Sequence, residues 1–218
     1  FAWEKGKAYY LPVAEDYDTA MELLVQLKQF FESPTTEKVG QNIKYDLKIL
    51  MRYGIAIQGP LFDTMLAHYL INPDMRHNMD VLSETYLRYT PVAIEELIGK
   101  KGKNQLNMRK VPLEKIKEYA AEDADITWQL HEYFAPILEQ TATRELFDKI
   151  EMPLVPVLAS MELEGIRLDV AYLKELEGIL AQDITQLEQK IYETAGRTFN
   201  LASPKQLGEV LFDELKLG

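Results

Sequence analysis

No cysteine occurs among the 218 residues. That removes disulfide scaffolds, thiol catalysis and thiolate metal sites together, and it suits a reducing cytosol. Histidine is nearly as scarce. His68, His77 and His131 are the only three, too scattered for a paired-histidine zinc motif. A metal would therefore be held mainly by carboxylates, which favours hard cations such as magnesium or manganese. Long apolar runs are missing as well: no stretch approaches the roughly 20 residues a membrane span needs. No basic, apolar leader opens the chain, so membrane insertion and secretion are poor readings. Excess positive charge is also lacking. The formal net charge is −11, which argues against non-specific wrapping of nucleic acid by clustered lysine and arginine.

What is present is ordinary globular composition, 47% hydrophobic and 27% charged, in a length that suits one large domain or a medium one with a smaller partner. Charge is unevenly placed. Residues 99–110 (GKKGKNQLNMRK) carry five basic residues and no acidic one. On an acidic body such a loop either meets phosphate or is simply a solvated surface.

The opening FAWEKGKAYYLPV reads as strand, turn, strand, with Gly6 giving the turn its permissive backbone. A sheet that starts so abruptly at Phe1 suggests a sequence beginning inside a longer protein. A helix over 17–31 follows through Met21, Leu24, Leu27 and Phe31. A strand at 38–41, a helix at 43–53, a strand at 61–63 and a helix through Leu70 come next. Further helices are expected at 79–88, 112–135 and 144–164. Alternating strands and helices point to an α/β domain. After about residue 145 the composition changes. A long helix over 169–195 spaces Leu173, Leu176, Leu180, Ile184, Leu187 and Ile191 by threes and fours, a seam that wants an antiparallel partner, with 144–164 the nearest candidate. Gly165 separates the two, and Ser203 with Pro204 starts another short helix. The expectation is two units: an α/β domain over 1–145 and a helical extension over 146–218.

Two aspartates stand out. At about 100° per residue, Asp123 shares a face with Ile116, Ala120, Ile126, Leu130 and Phe134, with Tyr119 one turn earlier. Asp46 shares a face with Ile43, Ile49, Leu50 and Tyr53. An ionised carboxylate on an apolar face is costly unless something positive or hydrogen-bonding meets it. Two inward aspartates from distant parts of the chain make half of a carboxylate metal site. The plainer alternatives are a helix-dipole interaction for Asp46 and a buried arginine pair for Asp123.

At these residues the sequence resembles a known family. GQNIKYD (40–46) resembles the second motif of the DEDD exonucleases, and EYAAEDAD (118–125) the third motif of their tyrosine-bearing subclass. FDTM (62–65), RHNMD (76–80) and GKNQ (102–105) resemble the proofreading domain of bacterial family A DNA polymerases. IEMPLVPV (150–157) through FNLASPKQL (199–207) looks like the start of the polymerase region leading to the thumb. The resemblance implies an RNase H-like α/β exonuclease domain lacking its first strands, followed by an α-helical extension. It implies hydrolysis of the 3′-terminal phosphodiester of single-stranded DNA, with primer-template DNA bound by the parent enzyme. It also implies two divalent cations, magnesium or manganese with zinc possible at one site, and a monomer in the bacterial cytoplasm at the nucleoid. By resemblance Asp46 and Asp123 are metal ligands and Tyr119 orients the attacking water, while Gln41, Asn42 and Arg76 contact the terminal nucleotides. The family's first motif, Asp-x-Glu, occurs nowhere in the chain, so two of four ligands are missing and the chain alone is expected to be inactive or weak. The competing expectations are an inactive exonuclease-like spacer that braces a polymerase and an RNase D-like RNA 3′ exonuclease.

Overall fold

A computed structural model describes residues 1–217. Contacts divide the chain into two compact units, with the break after Gly165. In the first, strands β1 (Ala2–Glu4) and β2 (Lys7–Ala8) form an antiparallel hairpin. Gly6 takes φ +76° in its turn, a conformation that L side chains avoid. Its N–H donates to Asp125 Oδ1 at 2.7 Å, which fastens the hairpin to a helix far along the chain. Helix α1 (Tyr17–Phe31) starts where Asp16 accepts from the Thr19 N–H at 2.9 Å, a side-chain cap that satisfies an orphan donor.

Strand β3 (Lys38–Gly40), helix α2 (Ile43–Arg52) and strand β4 (Leu61–Asp63) make a β-α-β unit in which Val39 lies opposite Phe62 in a parallel pair. A parallel pair needs such a crossover, so the alternation read in the sequence is realised here. Lys38 is buried, yet its ammonium donates to the carbonyls of Ser33 and Gln58 at 2.6 Å each. Helices α3 (Thr64–Ile71), α4 (Met79–Leu82) and α5 (Ile94–Ile98) precede the 28-residue α6 (Leu113–Gln140). Short α7 (Arg144–Leu146) and α8 (Met152–Glu164) complete the unit. One core joins Ile43 and Leu47 of α2, Phe62 of β4, Ala67 of α3 and the α6 stripe Ile126, Leu130, Phe134 and Leu138. Each such large side chain contributes about 1.5–3 kcal/mol by leaving water.

Three expectations change. Helix α6 runs five residues past 135, through Pro136, because Leu138 is fully buried in the core and a proline forfeits only its own donor and some local geometry. The helix expected at 144–164 is interrupted by a π-helical stretch at Phe147–Glu151. Pro153 and Pro156 lack the N–H groups that would bond back to Lys149 and Met152, and a widened turn just ahead of Pro153 accommodates the first loss. Finally, α8 packs within the first unit. Met152, Val155 and Ala159 bury into the core beside α2, and Lys44 and Lys48 both reach Glu162 at 2.6 Å. The first compact unit therefore includes 146–164, which composition grouped with the extension.

In the second unit Asp169 caps α9 (Val170–Ala195) and Gly196 ends it with φ +72°. Ser203 accepts from the Gln206 N–H at the start of α10 (Pro204–Gly208), with Pro204 in its first turn as expected. Arg197 forks onto Glu214 with contacts of 3.0 and 2.5 Å. Among the described residues no helix is long and apolar enough to cross a membrane.

Candidate active site

The turn from β3 into α2 is built tightly. A Cβ on Gly40 would lie 2.9 Å from Ile43 Cβ, so only glycine fits without displacing the first residue of α2. Asn42 then adopts the left-handed conformation, φ 60° and ψ 49°, one that asparagine tolerates better than most residues. Its backbone N–H donates to Asp63 Oδ1 at 3.1 Å, and the next N–H, of Ile43, to Asp63 Oδ2 at 2.9 Å. The same carboxylate accepts from Met65 and Leu66 at 2.8 and 3.4 Å. One buried aspartate thus closes the starts of both α2 and α3. Burial pushes its pKa up, and the four backbone donors push against that. The sequence reading assigned Asp63 no role. Its position directly before an apolar helical run is the N-cap signal that marks it.

Asp46 sits one turn into α2. The buried stripe of that helix runs through Ile43, Leu47 and Leu50, so Asp46 lies beside the stripe with a solvent-facing side rather than on its centre. The surrounding protein and the charge of Asp63 nevertheless raise its pKa to about 6. Neither aspartate is clasped by an arginine or lysine: the ion pairs of the described residues leave out Asp46 and Asp123.

On α6, Asp123 is half-buried one turn ahead of the stripe that begins at Ile126. Burial comes first in lifting its pKa to about 6. The charges of Glu122 and Asp80 add to this, and the Tyr119 hydroxyl opposes it. Burial and the facing Asp123 charge push the Tyr119 hydroxyl to about 12, so it stays protonated at any physiological pH. Glu122 is fixed in turn: it accepts from the Tyr89 hydroxyl at 2.5 Å and from the Val92 N–H at 2.9 Å. A protonated phenol against a carboxylate that titrates near neutrality can orient a water molecule; it cannot act as a strong base.

The segment between α3 and α4 lies between these two groups. Gln41 donates to the His77 carbonyl at 2.7 Å and accepts from the Thr64 hydroxyl at 2.5 Å, which leaves one amide N–H uncommitted. Asn42 is exposed and its side chain makes no cap bond. Arg76, next to His77, is exposed and carries no ion pair among the described residues. Asp80, in the first turn of α4, is within electrostatic reach of Tyr119 and Asp123. The structure thus joins Tyr119 with Asp123, and Gln41 with the turn that bears Arg76. Asp46 stands apart from this group: the charge that acts on it is that of Asp63, whereas Asp123 feels Glu122 and Asp80. As a metal site the donors are right in type, hard oxygens with a low cost of deprotonation near neutral pH. In number they fall short: among the described residues no three Asp, Glu or His side chains cluster as ligands.

Comparison with known proteins gives the family. Residues 1–139 match the family model described as 3′-5′ exonuclease, and residues 170–218 that of DNA polymerase family A. DNA polymerase I of Pseudomonas aeruginosa is 40% identical over 228 residues, covering 100% of this chain and 25% of that protein. DNA polymerase I of Rhizobium leguminosarum is 39% identical, covering 94% of this chain and 20% of its own length. The chain therefore spans about a quarter or less of these curated relatives. Among solved structures, the POL domain of Pol1 from M. smegmatis, in complex with DNA primer-template and dNTP, superposes with a TM-score of 0.75 at 26% identity over 90% of this chain and 31% of that one. With its site residues falling inside the matched span, the chain belongs to the 3′-5′ exonuclease family and continues into a DNA polymerase family A segment.

Proposed function

We propose that the chain is the proofreading part of a bacterial family A DNA polymerase acting in replication and repair, which removes the 3′-terminal nucleotide of a single DNA strand by hydrolysis. Functionally we place the border at about 145, with 146–218 opening the polymerase region of a monomer that works on the nucleoid in the cytoplasm. The observation that carries this reading is the placement of Tyr119 and Asp123 one turn apart on α6, within the exonuclease match. Tyr119 donates or accepts at its hydroxyl to hold the attacking water in line. Asn42, the free N–H of Gln41 and Arg76 contact the terminal nucleotides, Arg76 through phosphate. Asp46 and Asp123 would hold divalent cations (magnesium or manganese, with zinc at one position), which supply Lewis-acid activation of water and stabilise the leaving oxygen. The chain's own ligand set for them is partial.

A single-stranded oligonucleotide labelled at its 5′ end, incubated with the chain and magnesium or manganese, tests this. It is expected to shorten slowly from the 3′ end, one nucleotide at a time, and Asp46→Ala or Asp123→Ala abolishes the shortening. Shortening that survives both substitutions overturns the assignment. A second reading, an inactive exonuclease-like spacer, is favoured by the lack of a three-ligand cluster among the described residues; it predicts oligonucleotide binding with no shortening at all. An RNA 3′ exonuclease is disfavoured by the polymerase match over 170–218.

A further inference from the structure

His68 is the one fully buried histidine, and nothing in the reaction just described uses it. Both its ring nitrogens are engaged: Nδ1 lies 2.7 Å from Nδ1 of His77, and Nε2 lies 2.9 Å from the Tyr86 hydroxyl. That hydroxyl in turn reaches the Met75 sulfur at 3.9 Å. Two facing Nδ1 atoms need one donor, and each ring when neutral has one N–H. Because the Tyr86 O–H is given to the Met75 sulfur, the Tyr86 oxygen accepts from His68 Nε2–H, and His68 Nδ1 then accepts from His77 Nδ1–H. His68 is neutral at physiological pH, as this requires, because burial and then His77 lower its pKa to about 4.

The two ends of that chain, His77 and Met75, are the residues on either side of Arg76. Arg76 itself is exposed, while the His77 carbonyl holds Gln41. We infer that His68, His77 and Tyr86 are positioning residues. They clasp the turn on both sides of Arg76 and so fix its guanidinium for the phosphate of a DNA 3′ end. The inference rests on the exonuclease reading above for the identity of what Arg76 meets. The clasp itself rests on the distances alone.

Two measurements test it. Long-range proton–nitrogen spectra of the ¹⁵N-histidine-labelled chain are expected to show His77 as the Nδ1–H tautomer and His68 as the Nε2–H tautomer. The opposite tautomers, or rapid exchange between them, overturn the clasp. Affinity for a fluorescein-labelled single-stranded oligonucleotide is then compared for Arg76→Ala, His77→Ala, Tyr86→Phe and the double variant Arg76→Ala/His77→Ala. Arg76→Ala is expected to weaken binding about tenfold, His77→Ala and Tyr86→Phe by somewhat less, and the double variant no more than Arg76→Ala alone. Multiplying losses in the double variant show that His77 acts other than through Arg76 and overturn the inference while leaving the exonuclease reading intact. No oligonucleotide binding by the unsubstituted chain overturns both. Tyr86→Phe keeps the ring and its packing, so a loss of affinity at an unchanged melting temperature separates positioning from unfolding.

Discussion

At the scale of single residues, the site stores unfavourable charge. The folded pKa of Asp123 is about 6, above the ordinary 3.8. The folded chain therefore binds a proton more tightly than the unfolded one between those values, and the ionised group costs stability that is fully felt above pH 6. Asp123→Asn is expected to stabilise the chain in chelator at pH 7.5 by about 1–2 kcal/mol after allowance for its partial exposure, read as a higher melting temperature. The gain should vanish by pH 3.8. A fall in melting temperature at pH 7.5 would instead mark Asp123 as half of a structural pair. Asp63 is the converse case. Asp63→Ala strands four backbone donors at two helix starts and is expected to cost about 2–4 kcal/mol in urea denaturation, with Asp63→Asn recovering part of it. Tyr119 and Asp123 were legible in the sequence because helical periodicity puts them beside an apolar stripe. Asp63 was not, since its importance lies in the N–H groups of Asn42 and Ile43, some twenty residues away, which only the folded turn brings to it.

Elements were legible to the extent that their boundaries are chemical. The helix over 17–31, the strand at 61–63 and the Ser203-Pro204 start of α10 all stand as read, and the Asp16 cap explains the first of these starts. The π-helical stretch at 147–151 had no signal of its own; it follows from where Pro153 falls relative to a core that α8 must reach. Helix α5 was missed because five residues are too few to show a period. The loop over 99–110 was read correctly as basic. Arg109 pairs with Glu15, whereas Lys100, Lys101 and Lys103 are exposed with no ion pair among the described residues. If these three meet phosphate, changing them to glutamine should weaken oligonucleotide binding at every sequence. It should also make the slope of log affinity against log salt shallower by about 2. An unchanged slope returns the loop to plain solvated surface.

At the scale of the whole molecule, the chain is two units joined at Gly165, which takes φ +72°. Ile166 is 88% exposed and Leu168 60%. Limited proteolysis is expected to cut first between Gly165 and Asp169 and to release a stable fragment of the first unit; initial cleavage inside α8 would contradict the division. The long helix at 169–195 was legible from its spacing. That α8 packs on α2 was not: the periodicity of 152–164 names no neighbour, and the pairing of Glu162 with Lys44 and Lys48 does.

That pairing has a practical outcome. The homology to exonucleases stops at residue 139, yet the helix that grips the outer side of α2 lies at 152–164. Anyone trimming the gene at the homology border to obtain a minimal nuclease would strip Leu47 of its cover and free both lysines. The shortened product would carry Asp46, Tyr119 and Asp123 and still hold Asp46 on a loosened support.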